Sequence, residues 1–166
     1  MYYVPNGPYP SITTLLGNTM EKEKATSLEA WKARVGNKKA EKVTNDAATR
    51  GTNVHLMLER ALNNQDPLIS EFPKEHVAVF NSLKYELRKI NKVYGQEVVL
   101  FSDSFGVAGR CDLVADYQNE MAIVDYKTSS RVKSVSEIGD YFLQLALTYS
   151  PLRININVLL KLLICT

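Results

Sequence analysis

Asp125 and Lys127 stand two residues apart in the segment Met121 to Thr128 (Met-Ala-Ile-Val-Asp-Tyr-Lys-Thr), the one place in the chain where an acid is followed two positions later by lysine. The aliphatic, β-branched run before them reads as a central strand. Its period of two puts both side chains on one face, about 7 Å apart along the backbone. Burying an acid and a lysine in such a strand is costly, so the pair calls for a purpose. A carboxylate there can hold a hard divalent cation, and an adjacent ammonium can position water or steady the charge building on a phosphate.

Upstream, Gly109-Arg110-Cys111-Asp112-Leu113-Val114 ends a second strand, and a short polar turn at Asp116 to Glu120 would fold it back on the first as a hairpin. Asp112 then faces Asp125 and Lys127 from the neighbouring strand. Two carboxylates and a lysine would converge at one edge of a small sheet, in a site suited to Mg²⁺ or Mn²⁺.

With its surroundings, this constellation resembles the PD-(D/E)XK nuclease superfamily and, within it, the RecB-like exonucleases. Their pattern is matched in order by Gly51-Thr52-Asn53-Val54-His55, Gly109-Arg110-Cys111-Asp112, Asp125-Tyr126-Lys127-Thr128, and Gln144 followed by Tyr149. Tyr9-Pro10-Ser11-Ile12-Thr13, Thr19-Met20 and Leu28-Glu29-Ala30-Trp31-Lys32 are similar to the mitochondrial genome-maintenance branch of that group and its phage and bacterial relatives. The resemblance implies an α/β, restriction-endonuclease-like α-β-β-β-α-β core with accessory N-terminal helices. It also implies a catalytic set of Asp112, Asp125 and Lys127, with metal held by His55, Asp112, Asp125 and the Tyr126 carbonyl. Glu97 resembles an acid that the family places near the cleavage site, the alternative being a strand-end charge facing water. Gln144 matches the family's glutamine. Tyr149 stands five residues after it rather than four, which rotates it by about 100° away on a helix. The implied substrate is DNA with a free single-stranded end, cut in replication, recombination or repair. A structure-specific endonuclease on the same core and a catalytically decayed nucleic-acid-binding module are the rival readings.

The elements that must position these residues follow from pattern. Pro5, Gly7, Pro8 and Pro10 predict an irregular arm, and Ser11 or Thr13 caps a short helix ending at Gly17. Leu28, Trp31 and Val35 give a second helix over 27–35, with Trp31 in the core or, alternatively, stacked on an unpaired base. A third runs over 45–63 with His55 on its flank, where Gly51 implies close approach to the strand of Asp112. A fourth starts at Pro73 and reaches Tyr94-Gly95, with His76 exposed in its first turn. Gln96 to Phe101 is the first core strand. A crossover helix capped by Ser134 or Ser136 leads to a last strand near 153–160. The arm and accessory helices occupy 1–44 and the nuclease core 45–166, within one compact domain.

Composition sets the outer bounds. The chain has 166 residues, 45% apolar and 23% charged, enough for one real core. Its net charge of +2 does not itself demand a nucleic-acid partner. Lysines and arginines crowd the N-terminal third, where they read either as a phosphate-binding flank or as a solvated face paired with interspersed glutamates. Arg50, Arg131 and Lys133 are candidates for sequence-blind phosphate contacts. Two distant cysteines exclude a disulfide framework and a zinc site. No membrane segment or charged leader is visible, so a cytoplasmic location, bacterial or in a phage-infected cell, is expected. Beyond Ser150 the sequence departs from the family, which predicts a truncated C-terminus whose tail adds little stability.

Overall fold

The computed structural model describes residues 1–131 and 159–165, with residues 16–25 and 159–165 in backbone alone. It has the expected α/β architecture. Two long helices, α1 (Ile12–Val35) and α2 (Asn37–Leu62), precede α3 (Lys74–Leu87), and the strands β3 (Ile90–Ser102), β4 (Val107–Tyr117), β5 (Glu120–Thr128) and β6 (Leu159–Cys165) form one sheet in that order. The first three strands are antiparallel and β6 runs parallel to β5. The predicted crossover helix lies outside the described residues.

The N-terminal arm is more ordered than its prolines suggested. Strands β1 (Tyr2–Val4) and β2 (Gly7–Tyr9) form a small antiparallel hairpin. Asp103, in the turn after β3, accepts hydrogen bonds from Asn6 Nδ2 and Tyr9 Oη, both at 2.8 Å. Ala108 N–H donates to the Pro10 carbonyl at 3.1 Å, so the arm delivers Ile12 and the start of α1 to β4.

Helix α1 continues through Gly17, where a stop was expected. One glycine costs about 1 kcal/mol in a helix interior, and the strong formers around Glu21 to Lys24 offset it. Gly36, with φ at 86°, is the real break. Helix α2 starts directly after it, earlier than predicted, and runs uninterrupted through residues 44 and 45. Trp31 is half-buried in an open groove with Leu28 and Arg34 rather than in the core.

Helix α3 follows Pro73 as expected but stops at Leu87, and the next segment is strand from Ile90 onward. Ile90 fits the helical spacing of Leu83 and Leu87, yet Ile90, Val93 and Tyr94 are β-formers and their pairing with β4 prevails. His76, predicted exposed, is buried. Asn53 Nδ2 meets its Nδ1 at 3.0 Å, so the imidazole links α3 to α2. The β4–β5 turn is tighter than predicted, with Gln118 and Asn119 at φ of 55° and 67°, the geometry a two-residue hairpin requires.

The core lies between the helices and one sheet face. Val54, Met57 and Leu58 of α2, with Phe80 and Leu83 of α3, pack on Leu113, Ala115, Tyr117, Ala122, Val124 and Tyr126. The C-terminal tail, expected to contribute little, supplies β6 instead. It pairs from Ala122↔Leu159 to Thr128↔Cys165. The last strand was expected near 153–160; the described strand is Leu159–Cys165, and residues 153–158 lie outside the described residues.

Candidate active site

Strand β5 is buried almost throughout, because β4 and β6 flank it and α2 covers one face. Asp125 is only 5% exposed and its carboxylate forms an ion pair with Lys127. The period-two reading therefore holds in space, with acid and lysine meeting along one strand face. A buried pair of this kind contributes little net stability over an apolar pair, though removing one partner is expensive.

Helix α2 runs beside β5. A Cβ on Gly51 would lie 3.8 Å from Thr128 Oγ1, an ordinary contact, so the glycine faces β5 rather than the strand of Asp112 and alanine would fit there. One turn later His55 reaches the sheet. Its Nε2 lies 3.0 Å from the Tyr126 carbonyl, its Nδ1 lies 3.6 Å from Asp112 Oδ1, and its ring meets the Tyr126 ring edge-on. A carbonyl only accepts, so Nε2 carries a proton, and Nδ1 is the nitrogen that faces Asp112. Asp112 Oδ2 in turn accepts the Tyr126 N–H at 2.6 Å. The Tyr126 peptide is thus gripped on both sides, which fixes helix, β4 and β5 relative to one another.

Glu97 joins this group. The register of Gln96↔Leu113 and Val98↔Cys111 sets it opposite Asp112, and ligand atoms of His55, Glu97 and Asp112 lie within 4.8 Å of one another. Its φ of 53° is left-handed, a conformation that costs a non-glycine residue about 1 kcal/mol or more. Asp125 is not one of these three, but it is close enough to act on Asp112 electrostatically.

Burial first, and then the Asp125 charge, push the Asp112 carboxyl from 3.8 up to about 6, against the opposing pull of His55, the Tyr126 N–H and Lys127. The folded chain therefore holds this proton where the unfolded chain has released it. Stability from this residue is present below pH 3.8 and lost as pH rises through about 6, a difference of about 3 kcal/mol at most. Chemical unfolding in chelator at pH 4 and pH 7 checks this. Asp112→Asn should lose most of the pH dependence and gain on the parent at pH 7.

Of the other candidates, Arg50 lies next to Gly51 on α2, half-buried, its Nε enclosed without a hydrogen-bond partner among the described residues. Arg131 follows β5 in a turn where Ser129 Oγ donates to the Arg131 carbonyl at 2.6 Å. Lys133, Gln144 and Tyr149 lie outside the described residues. One neighbour was passed over in the sequence. Arg110, two positions before Asp112 on β4, contacts Glu97 at 3.3 Å, and the period-two rule applied to Asp125 and Lys127 would have flagged it. Cys111 between them is buried, its thiol pushed up to about 11 by desolvation, and it is inert.

A twisted sheet carrying an acid-x-lysine strand, an acid on its neighbour and a histidine from a supporting helix defines a nuclease core. Residues 27–150 match the PD-(D/E)XK nuclease superfamily, and the chain belongs to it. It is similar to mitochondrial genome maintenance exonuclease 1 of Xenopus tropicalis, at 30% identity over 149 residues, 87% of this chain and 43% of the relative. The Mus musculus and Homo sapiens proteins of that name are each 28% identical, over 75% of this chain and 38% of their own length. The chain thus spans about two-fifths of these relatives.

Proposed function

We propose that this nuclease is a divalent-metal-dependent DNA exonuclease acting on single-stranded ends. The observation that carries the reading is the meeting of His55, Glu97 and Asp112 beside the buried Asp125–Lys127 pair. The donor set suits a hard divalent cation, being carboxylate oxygens and one imidazole nitrogen without thiolate. The desolvated Asp112 carboxyl also gains from positive charge nearby. Asp112, Glu97 and the Nδ1 of His55 would hold the ion, with Asp125 adjoining. The Tyr126 carbonyl orients the imidazole by accepting its Nε2 proton, a common arrangement behind metal-binding histidines. An imidazole in the set favours Mn²⁺ over Mg²⁺ at equal concentration.

A divalent cation held by these residues would polarise the phosphate and acidify a water, supplying hydroxide near neutral pH. The protein's own groups do the rest. Lys127, braced by Asp125, directs a water oxygen at phosphorus and faces the charge that gathers on the phosphate. The new P–O bond forms from water, whose proton passes to solvent, the P–O bond to the departing nucleotide breaks, and that oxygen takes a proton from solvent. Arg50, beside the Gly51 that faces Thr128, and Arg131, just after Thr128, would hold neighbouring phosphates from the C-terminal end of β5 without reading bases.

Incubation with circular and linear single-stranded DNA of one sequence tests the reading. The linear form should shorten progressively in Mg²⁺ or Mn²⁺ while the circle survives, and the rate should fall as salt rises. Rapid nicking of the circle would establish an endonuclease. Binding without cleavage in any divalent metal would establish a decayed module.

A further inference from the structure

Arg110 has no part in the scheme above, yet it stands at the open side of the site. Period two along β4 puts it on the same face as Asp112. Its cross-strand partner is Val99, and it reaches diagonally to Glu97, placing Nη1 at 3.3 Å from Oε2. The side chain is 55% exposed, against 14% for Asp112 and 28% for Lys127. Among the described residues Glu97 is its hydrogen-bond partner through one of five N–H donors, so most of a rigid fork faces solvent beside the carboxylates.

Charge gives that fork a task. Glu97, Asp112 and Asp125 against Arg110 and Lys127 leave one negative charge, which a divalent cation converts to one positive. A single phosphodiester then neutralises the site. A planar guanidinium held by a carboxylate is suited to bind phosphate oxygens in parallel. Glu97 keeps its left-handed backbone at a cost, and its carboxylate lies within 4.8 Å of ligand atoms of His55 and Asp112 while contacting the guanidinium.

Resting on the nuclease reading, we infer that Arg110 binds the scissile phosphate, held in place by Glu97, and is a catalytic residue that no motif assigns. Arg110→Gln tests this, with Arg110→Lys as the charge-preserving control and thermal melts to confirm folding. In Arg110→Gln, single-turnover cleavage of a linear single strand should fall on the order of a hundredfold. The slope of log affinity for that strand in Ca²⁺ against log salt should shrink by about 0.7, the loss of one phosphate contact. Arg110→Lys should restore the slope but only part of the rate. Mn²⁺ affinity, followed by paramagnetic resonance without DNA, should stay level or tighten, because a cation has been removed. Weaker Mn²⁺ binding would mean that Arg110 serves only to hold Glu97, and would overturn the inference. So would an unchanged rate and slope in a parent that cleaves. A parent that neither binds Mn²⁺ nor cleaves would overturn the nuclease reading and this inference with it.

Discussion

Asp125→Asn and Lys127→Ala should each lower cleavage about a thousandfold or more, the largest functional effect of any single change in the chain. In the proposed mechanism the first removes a carboxylate charge from beside the candidate metal-binding group, and the second removes the ammonium that would direct water. Burial complicates the measurement. Asp125 is 5% exposed and paired with Lys127, so Lys127→Ala leaves a buried charge without its partner, worth about 3–5 kcal/mol of stability. The neutral double variant Asp125→Asn/Lys127→Met removes both charges at similar volume and should fold nearly as well as the parent. It should still be inactive. Single-turnover rates read beside thermal midpoints separate the two effects, and a folded variant that cleaves at the parent's rate would remove Asp125 and Lys127 from the chemistry. His55→Ala should cost less in rate and more in metal affinity, because two carboxylates remain.

The parts of this site that were legible in the sequence are those governed by local periodicity. Asp125 and Lys127 share a face because a strand repeats every two residues, and the polar turn before Met121 made the β4–β5 hairpin legible from composition. Glu97 was recognised only as an acid near the site, because its place beside His55 depends on pairing register and on a left-handed backbone that side-chain pattern does not encode. His76 was misread for a related reason. Its hydrogen-bond partner, Asn53, is 23 residues away on another helix, and helical periodicity cannot report on a neighbour from elsewhere in the fold. The start of β3 failed differently. Ile90 continues the 3.6-residue spacing of α3 and also begins the alternation of a strand, and only pairing with Tyr117 decides between them.

Deletion of residues 151–166 should abolish cooperative folding, the largest structural effect expected of any truncation that leaves Asp112, Asp125 and Lys127 in place. Family likeness ends at Ser150, which argued that the tail is dispensable, but backbone pairing argues the opposite. Strand β6 lies parallel to β5 over the whole of Ala122 to Thr128, so its loss turns the most buried strand of the sheet into an edge. The N–H and C=O groups that β6 satisfies would lose their partners beside Ile123 and Val124, both fully buried, and each unsatisfied group costs about 1–3 kcal/mol. Several such losses equal the whole stability of a domain, about 5–15 kcal/mol. The uncovered edge would also template pairing between chains, so the shortened protein should aggregate. Leu162→Pro is the finer probe. Leu162 pairs with Asp125, and a proline there fixes φ and removes an N–H from the strand, which should lower the midpoint while leaving the tail in place. Melting of both variants by circular dichroism checks the expectation, and a 1–150 chain with the parent's midpoint would show that β5 needs no partner on that side. Metal affinity should fall with stability in Leu162→Pro, because the strand that β6 pairs with is the one that carries Asp125 and Lys127.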